Sequence, residues 1–235
     1  MKQDKNLLLE NRVLVVTGIS QSVKDDFIAA RAVCQQIPGD WMAVGAEAVD
    51  LFPEGWLMYM ATYHPEDIPK GLERRKACGG NIDYKIVSHE EHEGIDIVVP
   101  FDPPSGSSAL LGSLAGLQLG YKKIILCGCP LRNEGALGRE YQQYHKGWVA
   151  KYNFVMGRVK SMSGWTRDFL GEPTIQWLTD KNEPTFMQEN MEKMQRMAKE
   201  INDILLKYNA VQWPVVTLTS EGIKYQIEYR LRAPA

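Results

Sequence analysis

The stretch from Pro100 to Pro130, PFDPPSGSSALLGSLAGLQLGYKKIILCGCP, constrains the fold more than any other part of this chain. It reads as a loop, a helix built from small residues, a tight turn at Gly120, and a buried strand ending at Gly128. Gly112, Ala115 and Gly116 let such a helix press closely on a sheet. The cluster Ser105, Gly106, Ser107 and Ser108 falls where the helix begins. Unpaired backbone N–H groups and the positive end of the helix dipole meet there, which predicts a site for phosphate or carboxylate.

The elements before that stretch alternate in type. Val13–Val16 is a short apolar run that enters a loop at Thr17-Gly18. Val23, Phe27, Ala30, Cys34 and Ile37 then recur at helical spacing, and Pro38-Gly39-Asp40 closes that helix. Trp41–Val44 and Trp56–Ala61 read as strands, with a brief helix expected over Ala46–Phe52 between them. A charged helix over Glu66–Cys78 and two short strands, Tyr84–Val87 and Ile95–Val99, follow. This alternation predicts an α/β fold with a doubly wound, mostly parallel, Rossmann-like sheet across residues 1–135.

Residues 136–235 differ in character and are expected to be mainly helical, a lid and appendage on the same domain. Glu140–Val159 is helical and aromatic-rich, Ser161–Leu178 is turn-rich, and Trp213–Arg230 alternates like a hairpin. Phe186–Tyr208 carries Met187, Met191 and Met194 on one face, suited to a core or to a homo-oligomer contact. Sheets of the doubly wound kind bind ligands at the carboxyl ends of their strands. That rule gathers Gly18–Ser22, Gly45, Tyr63-His64, Ser105–Ser108 and Gly128–Pro130 around one crevice.

Charge and composition exclude several classes. A formal net charge of −2 offers no electrostatic reason for nucleic-acid or membrane binding. The start, MKQDKNLLLE, reads as neither a signal peptide nor an anchor, so a cytoplasmic protein is expected. Four cysteines in 235 residues suggest buried thiols, not a disulfide framework. His89-Glu90-Glu91-His92-Glu93 has its histidines three apart, not the four of the helical zinc motif, so no metal site is assigned.

Three segments together carry a resemblance. Gly18-Ile19-Ser20-Gln21-Ser22-Val23 follows strand one, S-G-S-S-A-L opens a helix, and L-G-Y-K-K-I-I-L-C-G forms a late strand. This arrangement resembles the bacterial CMP-sialic-acid-dependent sialyltransferases and the archaeal 6-hydroxymethylpterin diphosphokinase-like family. Ser20 and Gln21 replace the second glycine and the proline of their G-x-G-P-S-L loop, and Gly45 stands where an asparagine is frequent. Their late G-x-D becomes Gly128-Cys129-Pro130, so the acid that would hold ribose or metal is missing. The chain also resembles a family of tailed-phage and prophage proteins through the SGSS helix and the block from Ser161 to Leu178, SMSGWTRDFLGEPTIQWL.

The transferase resemblance implies a nucleotide or nucleotide-sugar ligand. Its phosphate would rest at Ser105–Ser108, with Gly18, Ser20, Ser22, Gly45 and Gly128 around the nucleotide. His64 or His145 would serve as base for an acceptor hydroxyl, and Tyr141 and Tyr144 would stabilise the departing phosphate. A non-catalytic nucleotide-binding protein, or an interaction protein that has lost its chemistry, is the rival expectation. Arg158, Lys160 and Arg167 are candidates for bringing positive charge to a phosphate.

Overall fold

The computed structural model describes residues 12–34, 37–100, 106–131, 138–180, 210–219 and 222–231, with the backbone alone for 138–141 and the last two segments. Strand β1 (Val13–Thr17) leads into helix α1 (Val23–Cys34), then β2 (Gly39–Val44) and β3 (Leu57–Ala61). A 3-10 turn at Pro65–Asp67 precedes α2 (Ile68–Ala77), β4 (Lys85–Ser88) and β5 (Ile97–Val98). Helix α3 (Ser108–Leu119) and strand β6 (Lys123–Cys127) come next. They are followed by α4 (Gly138–Ala150), α5 (Tyr152–Val155), β7 (Val159–Ser161), α6 (Gly164–Leu170) and α7 (Ile175–Thr179).

The seven strands form one sheet in the order β5-β4-β3-β2-β1-β6-β7, and each pairing is parallel. The expected Rossmann-like α/β fold is what the chain adopts. Strand β1 lies between β2 and β6, with Val15 opposite Trp41 on one side and Ile125 on the other. From β1 the chain steps outward to β5 and then returns to lay β6 on the other side of β1. The order therefore reverses between β1 and β6, the place where such sheets open a crevice. Strand β7 extends the sheet past residue 135 by pairing with β6.

Period-two alternation divides the core between the two faces of the sheet. Leu14, Val16, Met42, Val44, Ile124 and Leu126 join Leu110, Leu111 and Ala115 of α3 in one cluster. Val13, Val15, Ile125 and Cys127 join Ala30 and Cys34 of α1 in another. The small-residue helix behaves as its composition predicts. A Cβ at Gly112 would lie 2.9 Å from Met42 Sδ, and one at Gly116 would lie 2.5 Å from Leu14 Cδ2. Gly120 ends α3 in the left-handed region at φ 106°, where its N–H reaches the Gly116 and Leu117 carbonyls.

Two local expectations change. Ala46–Phe52 forms consecutive turns, not a brief helix. The backbone closes i+3 turns, Ala48 N–H to the Gly45 carbonyl at 3.2 Å and Leu51 N–H to the Ala48 carbonyl at 3.5 Å, and the fully buried Arg75 guanidinium takes the Val49 and Phe52 carbonyls at 3.0 and 3.1 Å. The helical region expected over Glu140–Val159 breaks after Ala150, resumes briefly as α5, and gives way to β7.

Residues Met1–Glu183 and Pro184–Ala235 form separate units. In the second, β8 (Ala210–Thr219) and β9 (Gly222–Leu231) pair as an antiparallel hairpin, as the alternating pattern predicts. The methionine-lined segment 186–208 lies outside the described residues. No helix among the described residues is long and apolar enough to cross a membrane.

Candidate functional site

Because every strand of the main sheet runs the same way, the loops after β1, β2, β3, β5 and β6 open on one edge. At the switch point the loop after β1 is pressed against the end of β6. Gly18 N–H donates to the Cys127 carbonyl at 2.9 Å, and Ser20 N–H donates to the Gly128 carbonyl at 3.3 Å. A side chain at Gly18 would collide with the Gly128 carbonyl and come within 2.9 Å of Cys129 Sγ. Gly128 itself sits at φ 67° against Val23, in the region that favours glycine.

A buried carboxylate organises this junction. Asp26, in the first turn of α1, accepts at Oδ2 from Gly128 N–H at 2.8 Å, Ser163 Oγ at 2.6 Å and Ser22 Oγ at 3.1 Å. Ser22 also lies 2.9 Å from Ser20 Oγ and 3.2 Å from Ser163 Oγ. An acid from α1 thus stands against Gly128. Thr166 of α6 closes the far side by donating to the Cys129 carbonyl at 2.7 Å. Burial pushes the Cys129 thiol up to about 12, so it stays neutral and unreactive.

The start of α3 forms a second cluster on the same edge. Ser107 is its N-cap, and its Oγ accepts from Leu110 N–H at 3.4 Å and from Trp148 Nε1–H at 3.2 Å. Gly106, at φ 74°, lies under Tyr144, whose ring would be 2.8 Å from an added Cβ. Ser107 is buried and its hydroxyl serves the fold, whereas Ser108 is half-buried. Ser105 and the Tyr141 side chain lie outside the described residues.

Helix α4 connects the two clusters. One turn beyond Gly138–Tyr141 it places Tyr144 over Gly106, and its next residue, His145, reaches the loop after β6. His145 Nε2 stands 2.8 Å from the Leu131 carbonyl, and its ring stacks on Trp165 of α6 at 4.0 Å. A carbonyl oxygen only accepts, so the imidazole proton is assigned to Nε2 and the Nδ1 lone pair is left as an acceptor.

The remaining candidates are not drawn into these clusters. His64 is exposed at the end of β3, 3.2 Å from the equally exposed Glu66. Gly45, at φ 85°, ends β2 by donating to the Ala61 carbonyl at 2.9 Å. Lys160 donates to the Leu170 carbonyl at 2.8 Å and so caps α6, while Arg167 is exposed beside Asp168. Arg158 Nη2 stands 3.5 Å from the Tyr121 carbonyl. A cleft of about 760 Å³ lies elsewhere, beside the amino end of β2, between α1 and the turn at 51–56. Phe27, Trp41, Phe52 and Trp56 line it, away from the strand ends at the switch point.

Asp26, Ser163, Trp148 and Trp165 escaped the reading of the chain. For Asp26 a signal existed, since Ser22 and Asp26 are four apart where a helix begins. For Ser163, 137 residues from Asp26, there was none. No family model matches the chain, and no curated protein matches it. Fold and site together define a Rossmann-like α/β protein with a polar junction at its topological switch point.

Proposed function

We propose that this protein is a transferase acting on a nucleotide-activated donor, a nucleotide sugar foremost. The phosphate would rest at the start of α3, against the backbone of Ser108 and Ala109 and the Ser108 hydroxyl. The nucleoside would lie towards Ser20 and Ser22. The observation that carries this reading is the setting of His145. Its Nε2 is anchored on the Leu131 carbonyl and its ring is held by Trp165, which would leave Nδ1 as the base. An orienting acceptor on one ring nitrogen and a lone pair on the other is what a general base for an acceptor hydroxyl needs. In this reading Tyr144, whose ring lies over Gly106, would act on the leaving phosphate.

A binding protein without turnover is the second reading. It is favoured by the end of β6, where Cys129 is buried and its carbonyl is taken by Thr166, so no acid from that strand reaches the crevice. A thermal-shift screen with CMP, UDP and their sugar conjugates, followed by a nucleotide-release assay, tests both. Donor-dependent release that falls at least ~100-fold in His145→Ala, with binding retained, supports the transferase. Binding with no release in any condition supports the second reading, and absence of any nucleotide response removes both.

A further inference from the structure

The hydroxyl cluster at the switch point has a hydrogen-bond direction, and that direction selects a ligand chemistry. A serine hydroxyl has one proton and two lone pairs, while a carboxylate only accepts. Ser163, 2.6 Å from Asp26 Oδ2, commits its proton there. Ser22 lies 3.1 Å from the same oxygen and 3.2 Å from Ser163 Oγ, so its proton also points inward by either route. Bonds to an ionised acceptor outweigh neutral ones, which favours this arrangement over its reverse. Ser20, 2.9 Å from Ser22 Oγ, is then the donor of that pair.

All three protons are therefore spent towards Asp26. The backbone N–H groups of Gly18, Ser20 and Gly128 are spent too, on Cys127, on Gly128 and on Asp26. What remains outward on Ser20 and Ser22, both half-buried, is lone pairs. Asp26 Oδ1 makes no hydrogen bond to the described residues.

We infer that the β1 loop presents side-chain acceptors, the oxygens of Ser20 and Ser22, that bind the vicinal hydroxyls of a ribose or sugar. The inference rests on the nucleotide reading of this edge and divides it: hydroxyls at Ser20, Ser22 and Asp26, oxyanion at the start of α3. Asp26 is in this sense a positioning residue, because it turns the serines to face the ligand with their oxygens.

Two measurements test it. Neutron diffraction on deuterium-exchanged crystals locates the deuterons; those of Ser20, Ser22 and Ser163 are expected to point inward. A Ser22 or Ser163 deuteron directed into the crevice overturns the inference whatever the protein binds. Titration calorimetry then compares cytidine, uridine, adenosine and guanosine with their 2′,3′-dideoxy forms, and adds inorganic phosphate. The dideoxy forms are expected to bind roughly tenfold more weakly or worse. Ser20→Ala is expected to weaken the ribonucleoside and leave inorganic phosphate unchanged. Equal binding of the dideoxy forms, or a phosphate affinity that falls in Ser20→Ala, overturns the inference while the nucleotide reading stands. No response to any nucleoside or to any nucleoside phosphate removes that reading and the ligand assignment with it.

Discussion

Two buried charges, Arg75 and Asp26, hold different parts of this molecule together in opposite ways. Arg75, on α2, is fully buried and donates to the carbonyls of Val49, Phe52, Gly55 and Asn81 and to Asn81 Oδ1. A guanidinium has five N–H donors, and these five bonds use all of them. Its plane also lies over Trp41 at 5.2 Å. Asp26 gathers three donors on one oxygen and leaves the other without a hydrogen bond among the described residues, at a rim lined by half-buried serines. A charge that only builds structure is saturated and sealed. A charge with capacity left over at a strand-end crevice is the one the proposed ligand would use.

Removing the saturated charge tests the contrast most severely. Arg75→Met leaves the carbonyls of Val49, Gly55 and Asn81 without their donor, while the Phe52 carbonyl and Asn81 Oδ1 keep Gly55 N–H and Leu57 N–H, and each orphaned buried group costs roughly 1–3 kcal/mol. A loss on the order of 4 kcal/mol or more is expected in urea unfolding. A loss under ~1 kcal/mol would show that the turns at 46–55 do not depend on it. Asp26→Asn keeps the shape but replaces a charged acceptor, and is expected to cost about 2 kcal/mol. Nucleoside binding should weaken in parallel. Stability loss without an effect on nucleosides would make Asp26 a second sealed charge.

Gly18→Ala probes the same junction through sterics. The new methyl group meets the Gly128 carbonyl and Cys129 Sγ, and a cost of roughly 1–3 kcal/mol is expected. Wild-type stability in this variant would mean that the β1 loop is not held against β6.

Alkaline pH distinguishes the two regions by their buried neutral groups. Burial pushes the Cys129 thiol from 9.0 up to about 12, and Tyr84, beside Arg75, from 10.0 up to about 12. Both folded-state values lie above those of the unfolded chain. Their contribution is therefore complete below about pH 9 and is lost as pH rises towards 12. Melting temperature should fall across that window, and Cys129→Ala should flatten the early part of the fall, where the thiol of the unfolded chain ionises. An unchanged profile in that variant would mean that water reaches the thiol. The smallest effect is expected at His64→Ala. An exposed imidazole paired with an exposed carboxylate is screened by water and contributes next to nothing, and equal denaturation curves would place His64 outside both regions.

Much of the architecture was legible in the chain because it follows from local rules. Runs such as Val13–Val16 and Lys123–Cys127 carry apolar residues in succession, as strands covered on both faces must. Gly112, Gly116 and Gly120 announce a helix pressed to a sheet and its stop. The carboxyl-edge rule then put Gly18, Ser22, Ser107 and Gly128 on one rim, and that is where they lie. Ala46–Phe52 closes i+3 turns instead of a helix, and its Val49 and Phe52 carbonyls are taken by Arg75, which lies 23 residues beyond Phe52 in the chain. No local pattern encodes that contact.

What the sequence by itself determined is the parallel α/β sheet, the order of its early elements and the edge on which polar and glycine-rich loops converge. These depend on hydrophobic period, turn chemistry and strand-to-helix alternation, all of which act over a few residues. Only the tertiary structure decided which polar groups are spent and which remain. Ser107 Oγ accepts from Trp148 Nε1–H, 41 residues away, and Ser22 Oγ is held 3.1 Å from Asp26 Oδ2 and 3.2 Å from Ser163 Oγ. Hydrogen bonds are saturable and directional, so the chemistry a serine offers depends on partners that the fold brings to it from far along the chain.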